Sequence, residues 1–134
     1  MSAIFSHTLD VRFRDCDAMG HVNNAVYLTY LEQARFAYWR SLWGSDLEAL
    51  PHGTPGVILA RAEIDYRRPA KYGDSLEIRI SLEKVGRSSI TSSYEVLDAN
   101  GQLVANARTV LVTYDYKAGR PVPITDEIRA RLEA

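Results

Sequence analysis

Asp15, Cys16, Asp17, His21, Asn23 and Asn24 crowd into ten positions just before a long apolar run, within the segment RFRDCDAMGHVNNAVYLTYLEQAR from Arg12 to Arg35. Each has an ordinary structural use. Asn23 or Asn24 can cap the first turn of a helix by accepting from an orphan N–H. Gly20 permits a tight turn, and Asp17 suits the positive end of a helix dipole. One cap is enough to start a helix, so the crowding asks for more. A helix N-terminus offers unpaired N–H groups and a partial positive charge, which together can polarise an acyl carbonyl. A carboxylate just upstream can attack that carbonyl or activate a water against it. Thioesters suit this apparatus, because their carbonyl is electrophilic and the thiolate leaves readily.

Other acyl-transfer machinery is not evident. There is no G-x-S-x-G, and His7, His21 and His52 have no nucleophile motif beside them. Cys16 is set aside as a nucleophile, because strand-like alternation points it away from the face shared by Asp15 and Asp17. That alternation makes Asp15 and Asp17 the two candidate carboxylates.

The elements that must hold these residues follow from hydrophobic period. Ser6–Arg14 alternates around Leu9, Val11 and Phe13 and predicts a first strand. From about Asn24 to Trp43 the period becomes helical. Tyr27, Leu28, Leu31, Ala34, Tyr38 and Leu42 share a face, which Val26, Tyr30 and Ala37 widen. Thr29, Glu32, Gln33 and Arg40 leave only a narrow polar edge, so the helix is expected to be covered on most sides. Gly44 and Ser45 are expected to end it, and Leu50–Gly56 reads as a loop.

The remainder predicts antiparallel sheet: strands over Val57–Arg67, Leu76–Glu83, Ser89–Leu97 and Leu103–Tyr116, with turns at Gly86–Ser88 and Asp98–Gly101. A short helix is expected over Thr125–Glu133 with Thr125 as its cap. Without a βαβ repeat, a doubly wound fold is disfavoured. One antiparallel sheet curled around one helix is the economical α+β arrangement. Its free edges invite a second copy.

The chain has 134 residues, which predicts a single domain over 1–134. It is 46% hydrophobic and 25% charged with net charge −1, so no global field favours nucleic acid or an acidic membrane surface. Cys16 is the sole cysteine, which excludes an internal disulfide and a cysteine-based zinc cluster. Met1–Asp10 lacks the basic and apolar regions of a signal peptide, and no apolar run approaches the roughly 20 residues of a membrane span. A cytoplasmic protein without metal or cofactor is expected.

The stretch RDCDAMGHVNNAVYLTYLEQAR resembles the signature of hotdog-fold acyl-CoA thioesterases, the hydroxybenzoyl-CoA thioesterase-like group. VILARAEIDYRRPAKYGDSLEI, GRSSITSSYEV and LVANARTVLVTYD resemble its later segments, so the likeness covers nearly the whole chain. The resemblance implies a hotdog fold, a curved antiparallel β-sheet wrapped around one long central α-helix. It implies sites at a homodimer interface, often doubled to a tetramer as a dimer of dimers. Asp17, three residues before Gly20, matches the family's catalytic carboxylate. The turn before the helix matches its carbonyl-polarising site, which implicates His21, Asn23 and the N–H of Asn24. Some members carry a His where this chain has Asn24; His21-Val22-Asn23-Asn24 is the pattern of the long-chain acyl-CoA branch. Other relatives use a helix Glu, for which Glu32 is the counterpart, although a solvated or Arg35-paired Glu32 is the simpler reading.

With that expectation, basic clusters become informative, since coenzyme A brings several phosphate charges. Arg67, Arg68 and Lys71 follow one strand. Arg87, Ser88 and Ser89, beside Gly86, can offer charge and hydroxyls to phosphate and are the preferred CoA-binding residues. The implied activity is hydrolysis of an acyl-CoA to free acid and CoA. The alternatives are an acyl-acyl carrier protein thioesterase and a non-catalytic acyl-CoA-binding protein.

Overall fold

The computed structural model describes residues 4–43 and 56–133. Strand β1 (Phe5–Asp10) and a 3-10 turn (Phe13–Asp15) lead into helix α1 (Val26–Trp43). Strands β2 (Gly56–Tyr66), β3 (Ser75–Val85), β4 (Ser89–Leu97) and β5 (Leu103–Asp115) follow, then the short β6 (Arg120–Pro121) and helix α2 (Asp126–Glu133). All strand pairs are antiparallel, in the order β1-β3-β4-β5-β2, with β6 added to β5.

The period-2 pattern of β3 decides its placement. Leu76, Ile78, Ile80 and Leu82 are all buried under α1, while Glu77 and Arg79 pair on the outer face. Ile90, Tyr94 and Val96 of β4, and Ala105, Ala107 and Leu111 of β5, continue the same inner face. The DANG turn forms as its composition predicts: the Asp98 carboxylate accepts from Asn100 and Gln102, and Gly101 takes φ +77°. Thr125 caps α2 by accepting from the Ile128 N–H.

Three expectations need correction. The first strand stops at Asp10, and Phe13, foreseen as an inward residue, is 78% exposed in the 3-10 turn. Asp15 and Asp17 therefore do not share a strand face: Asp15 is buried and Asp17 exposed. Helix α1 is not covered on most sides within this chain. It packs over β1 and β3, with Leu28 and Phe36 each about 40% exposed. The expected helix stop at Gly44 and Ser45, the loop from Leu50 as far as Pro55, and His52 lie outside the described residues.

The sheet reaches beyond the helix. On β2, Leu59, Ala62, Ile64 and Tyr66 sit opposite buried Leu111, Thr109, Ala107 and Ala105 of β5, so they face the helix side. Yet Leu59 and Tyr66 are 45% and 48% exposed, and Ala62 is exposed too. Apolar side chains on the helix side of the β2 edge thus stay exposed among the described residues. Among the described residues no helix is long and apolar enough to cross a membrane.

Candidate active site

The segment Asp17–His21 forms a small turned loop. The Asp17 N–H donates to the His21 carbonyl, and the Gly20 N–H donates to the Asp17 carbonyl, at 3.1 and 3.0 Å. Gly20 supports this turn at φ +88°, a conformation that costs other residues. Two strand-like positions flank the loop, Cys16 and Val22, which bridge antiparallel. The Val22 N–H is held by the Ala70 carbonyl after β2, and the Asn23 N–H by the Asp15 carbonyl. The loop is thus pinned between two elements.

Asp15 anchors it. Its buried carboxylate accepts from the Arg12 N–H at 2.9 Å, from the Arg12 guanidinium, and from the Tyr30 hydroxyl of α1 at 2.7 Å. Burial opposes its charge, but these hydrogen bonds and the Arg12 charge outweigh it and hold the carboxyl below its ordinary value. The same burial, with the bond to Asp15, pushes the Tyr30 hydroxyl far above the usual phenol range.

Asp17 stands exposed on the loop. One oxygen accepts from the Met19 N–H at 3.0 Å, and the other lies 3.5 Å from the Asn23 amide nitrogen. Asn23 fills the cap role expected of Asn23 or Asn24: its side-chain oxygen accepts from the Ala25 N–H and its carbonyl from the Val26 N–H. That leaves Asn24. Among the described residues nothing accepts from the Asn24 N–H. Its carbonyl accepts from the Tyr66 hydroxyl at 3.1 Å, and the Tyr66 ring packs edge-on against Tyr27, with centroids 5.2 Å apart. Burial, then the neighbouring Tyr66 and Asp74, push the Tyr27 hydroxyl up to about 12.

His21, Asn24, Tyr27, Tyr66, Arg67 and Arg68 line one shallow cleft of about 310 Å³ with Val22 and Pro69. The structure therefore brings His21 and Asn24 together, with Asp17 and Asn23 on the adjoining loop rather than in the cleft wall. Tyr66 is not singled out by the sequence, and Arg67 and Arg68 figure there only as the less favoured basic cluster. The turn after β2 carries the signal, because Arg67–Pro69 ends that strand where Ala70 meets the loop. Glu32 is exposed, in keeping with a solvated residue, and the possible partner Arg35 instead turns inward to the Tyr94 hydroxyl.

Arg87, Ser88 and Ser89 lie elsewhere in the chain. Arg87 and Ser88 stand in the turn after β3, beside Pro121–Pro123, and Ser89 opens β4. The Ser88 carbonyl accepts from Thr113 and the Arg87 carbonyl from Ile124, leaving the Arg87 side chain exposed. Strand β3 begins opposite Asp10 and spans 11 residues, so this turn stands about 35 Å from the Asp17 end of the same sheet. Among the described residues no group of three His, Cys, Asp or Glu could hold a metal ion.

A family profile described as the thioesterase-like superfamily matches residues 11–132. The chain belongs to this superfamily. It is 35% identical over 127 residues to the long-chain acyl-CoA thioesterase FadM of Escherichia coli, covering 93% of this chain and 94% of that one. It is 33% identical over 125 residues to a 1,4-dihydroxy-2-naphthoyl-CoA hydrolase of Synechococcus elongatus, covering 92% and 90%. Among solved structures, a Thermus thermophilus thioesterase complexed with coenzyme A and Zn superposes with a TM-score of 0.81 at 39% identity, covering 96% and 97% of the two chains. The fold is the hotdog fold, as the resemblance implied, an antiparallel sheet with one long helix packed against it.

Proposed function

We propose that this member of the superfamily is an acyl-CoA thioesterase, hydrolysing its substrate to a free carboxylic acid and CoA. The observation that carries the reading is the unclaimed Asn24 N–H at the N-terminal approach to α1, in a cleft next to the Asp17 loop. Two relatives of similar length are named for CoA thioester hydrolysis, which supports the same substrate class.

In this reading the thioester oxygen lies against the Asn24 N–H, where the helix dipole favours developing negative charge. Asp17 acts as nucleophile or general base on the carbonyl carbon, and the CoA thiolate departs. His21 and Asn23 position substrate and carboxylate. Asn23 does so through its amide contact with Asp17. Tyr66 holds the Asn24–Ala25 peptide by its carbonyl, and so fixes the backbone next to the peptide that carries the Asn24 N–H.

The working unit is a homodimer, with a tetramer as a dimer of dimers. Edge strand β2 and the uncovered faces of Leu28, Phe36, Leu59 and Tyr66 are what the second copy covers. A two-fold axis that pairs β2 with its own copy makes the pair antiparallel. The far end of one sheet then lies beside the Asp17 end of the other. That geometry lets Arg87, Ser88 and Ser89 of one chain hold the CoA phosphates while Asp17 of its partner meets the thioester.

The test is release of free thiol from a panel of acyl-CoA and acyl-acyl carrier protein substrates of varied length and aromaticity. Turnover of acyl-CoA is expected. Turnover restricted to carrier-protein thioesters, or binding without turnover, would overturn the reading.

A further inference from the structure

Helix α2 is tied down at three points. Ile128 and Leu132, one turn apart, are both buried. Thr125 caps its start, and the Arg131 guanidinium donates to the Leu42 carbonyl of α1 at 2.6 Å. Arg129, next to Ile128, therefore stands on a fixed base. Its half-buried side chain reaches the end of β3, where Nη2 donates to the Gly86 carbonyl at 2.7 Å and Nη1 to the Val85 carbonyl at 3.3 Å. Its ion pair with Glu133 is longer, at 3.4 Å, and partly exposed, so it contributes little. The guanidinium fork is used chiefly on the two carbonyls.

The next two carbonyls of the turn are held as well. The Arg87 carbonyl accepts from the Ile124 N–H at 2.8 Å, and the Ser88 carbonyl from the Thr113 N–H at 2.9 Å. The peptides are trans, so the C=O and N–H of one peptide unit point opposite ways. The Gly86 carbonyl shares its unit with the Arg87 N–H, and the Arg87 carbonyl shares the next with the Ser88 N–H. Drawing these carbonyls onto Arg129 and Ile124 turns the two N–H groups outward. Among the described residues neither has an acceptor.

The exposed Arg87 side chain and the Ser88 hydroxyl stand on the same turn, which faces Pro121–Pro123 across a small cleft with no carboxylate in its lining. Two successive outward N–H groups, a hydroxyl and a guanidinium form a donor set suited to a phosphate oxyanion.

We propose that Arg129 is a positioning residue for the CoA phosphates. By holding the Gly86 and Val85 carbonyls it aims the Arg87 N–H, and with it the Arg87–Ser88 turn, at a phosphate oxygen. The inference rests on the reading of Arg87 and Ser88 as CoA-binding residues. Arg129 itself touches no substrate atom.

The experiment follows thiol release from one acyl group carried either on CoA or on pantetheine, which lacks the nucleotide and its phosphates. The wild type is compared with Arg129→Met, Arg129→Lys and Arg87→Ala. Met keeps the apolar stem and removes every donor. Lys keeps the charge but replaces the fork with a compact head.

Arg129→Met should raise KM for the acyl-CoA about five- to tenfold, the loss of one or two aimed donors, with kcat held. Hydrolysis of the pantetheine thioester should not change. Arg129→Lys should raise the acyl-CoA KM less, about two- to threefold, again without effect on pantetheine. Arg129→Lys decides the matter if Arg129→Met does not fold. Equal losses on both carriers would make Arg129 a residue of the fold alone, and an unchanged acyl-CoA KM would give it no part in binding. Either result overturns this inference, while a raised acyl-CoA KM in Arg87→Ala keeps the phosphate reading of the turn standing. An unchanged acyl-CoA KM in Arg87→Ala overturns that reading and the inference with it.

Discussion

The Tyr30 hydroxyl donates to the Asp15 carboxylate at 2.7 Å, joining the second turn of α1 to the 3-10 turn two residues before Asp17. Because Asp15 also binds the Arg12 N–H and its carbonyl holds Asn23, one residue fixes both ends of the loop. Asp15→Asn keeps the shape but replaces one acceptor oxygen with a donor facing donors. Hydrogen bonds to a buried charge are strong, so the loss should be roughly 2–4 kcal/mol of stability.

The pH dependence follows in sign. Folding lowers the Asp15 carboxyl below its ordinary value. Its stabilisation is therefore complete above the unfolded value of about 3.9 and is lost as pH falls through the folded one. Thermal unfolding from roughly pH 3 to 7 should show a lower Tm for Asp15→Asn at neutral pH and a shallower loss on acidification. Equal Tm and equal acid slopes would show that Asp15 is not the anchor.

How much of this was legible in the sequence depended on whether a signal was local. The alternation of Leu76–Leu82, the cap at Thr125 and the DANG turn are local and read correctly. Phe13 was misread because alternation continues through it, while the chain turns once Val11 bonds to the loop before β3. Asp15 and Asp17 differ only through that turn. Arg35 interrupts an apolar helix face between Leu31 and Trp39, a sign of a buried charge, but its partners Tyr94 and Thr109 come from strands some sixty and seventy residues later. The Tyr66–Asn24 bond, likewise, exists only once β2 ends beside the helix.

The quaternary prediction is direct. Light scattering should give a dimer as the smallest active unit, with a tetramer favoured. Leu59→Lys places a charge on the uncovered β2 face and should shift the population toward monomer, with activity falling in parallel. A fully active monomer at assay concentration would rule out the shared site.

Arg87→Ala should raise KM for CoA thioesters roughly five- to thirtyfold, about 1–2 kcal/mol, the low end for a hydrogen bond to a charged group because Arg87 is exposed. The contact would serve ground and transition states alike, so kcat should hold. A short thioester without the nucleotide should be hydrolysed as before. Equal losses on both substrates would remove Arg87 from phosphate binding.

Tyr66→Phe deletes the hydroxyl that holds the Asn24 carbonyl and leaves the ring against Tyr27. A single neutral hydrogen bond contributes about 0.5–1.5 kcal/mol. If it orients the polarising N–H, kcat should fall about three- to tenfold with little change in Tm. Steady-state kinetics with unchanged kcat would leave Tyr66 as packing alone.

Asp17→Asn tests the chemistry itself. The exposed Asp17 carboxylate makes, among the described residues, only the Met19 N–H bond and a long contact with Asn23. Few stabilising contacts depend on its charge, so fold, oligomer and Tm should survive. Nucleophilicity and basicity would be lost. General-base help alone is commonly worth about 10²–10⁴-fold, so kcat should fall at least roughly a hundredfold while KM changes little. Asp15→Asn separates the roles: its damage should show first in Tm, and its kcat, measured well below that Tm, should fall far less. A near-normal kcat in folded Asp17→Asn would dismiss this carboxylate from the mechanism. A larger kcat loss at Asp15, with the fold intact, would move the assignment there.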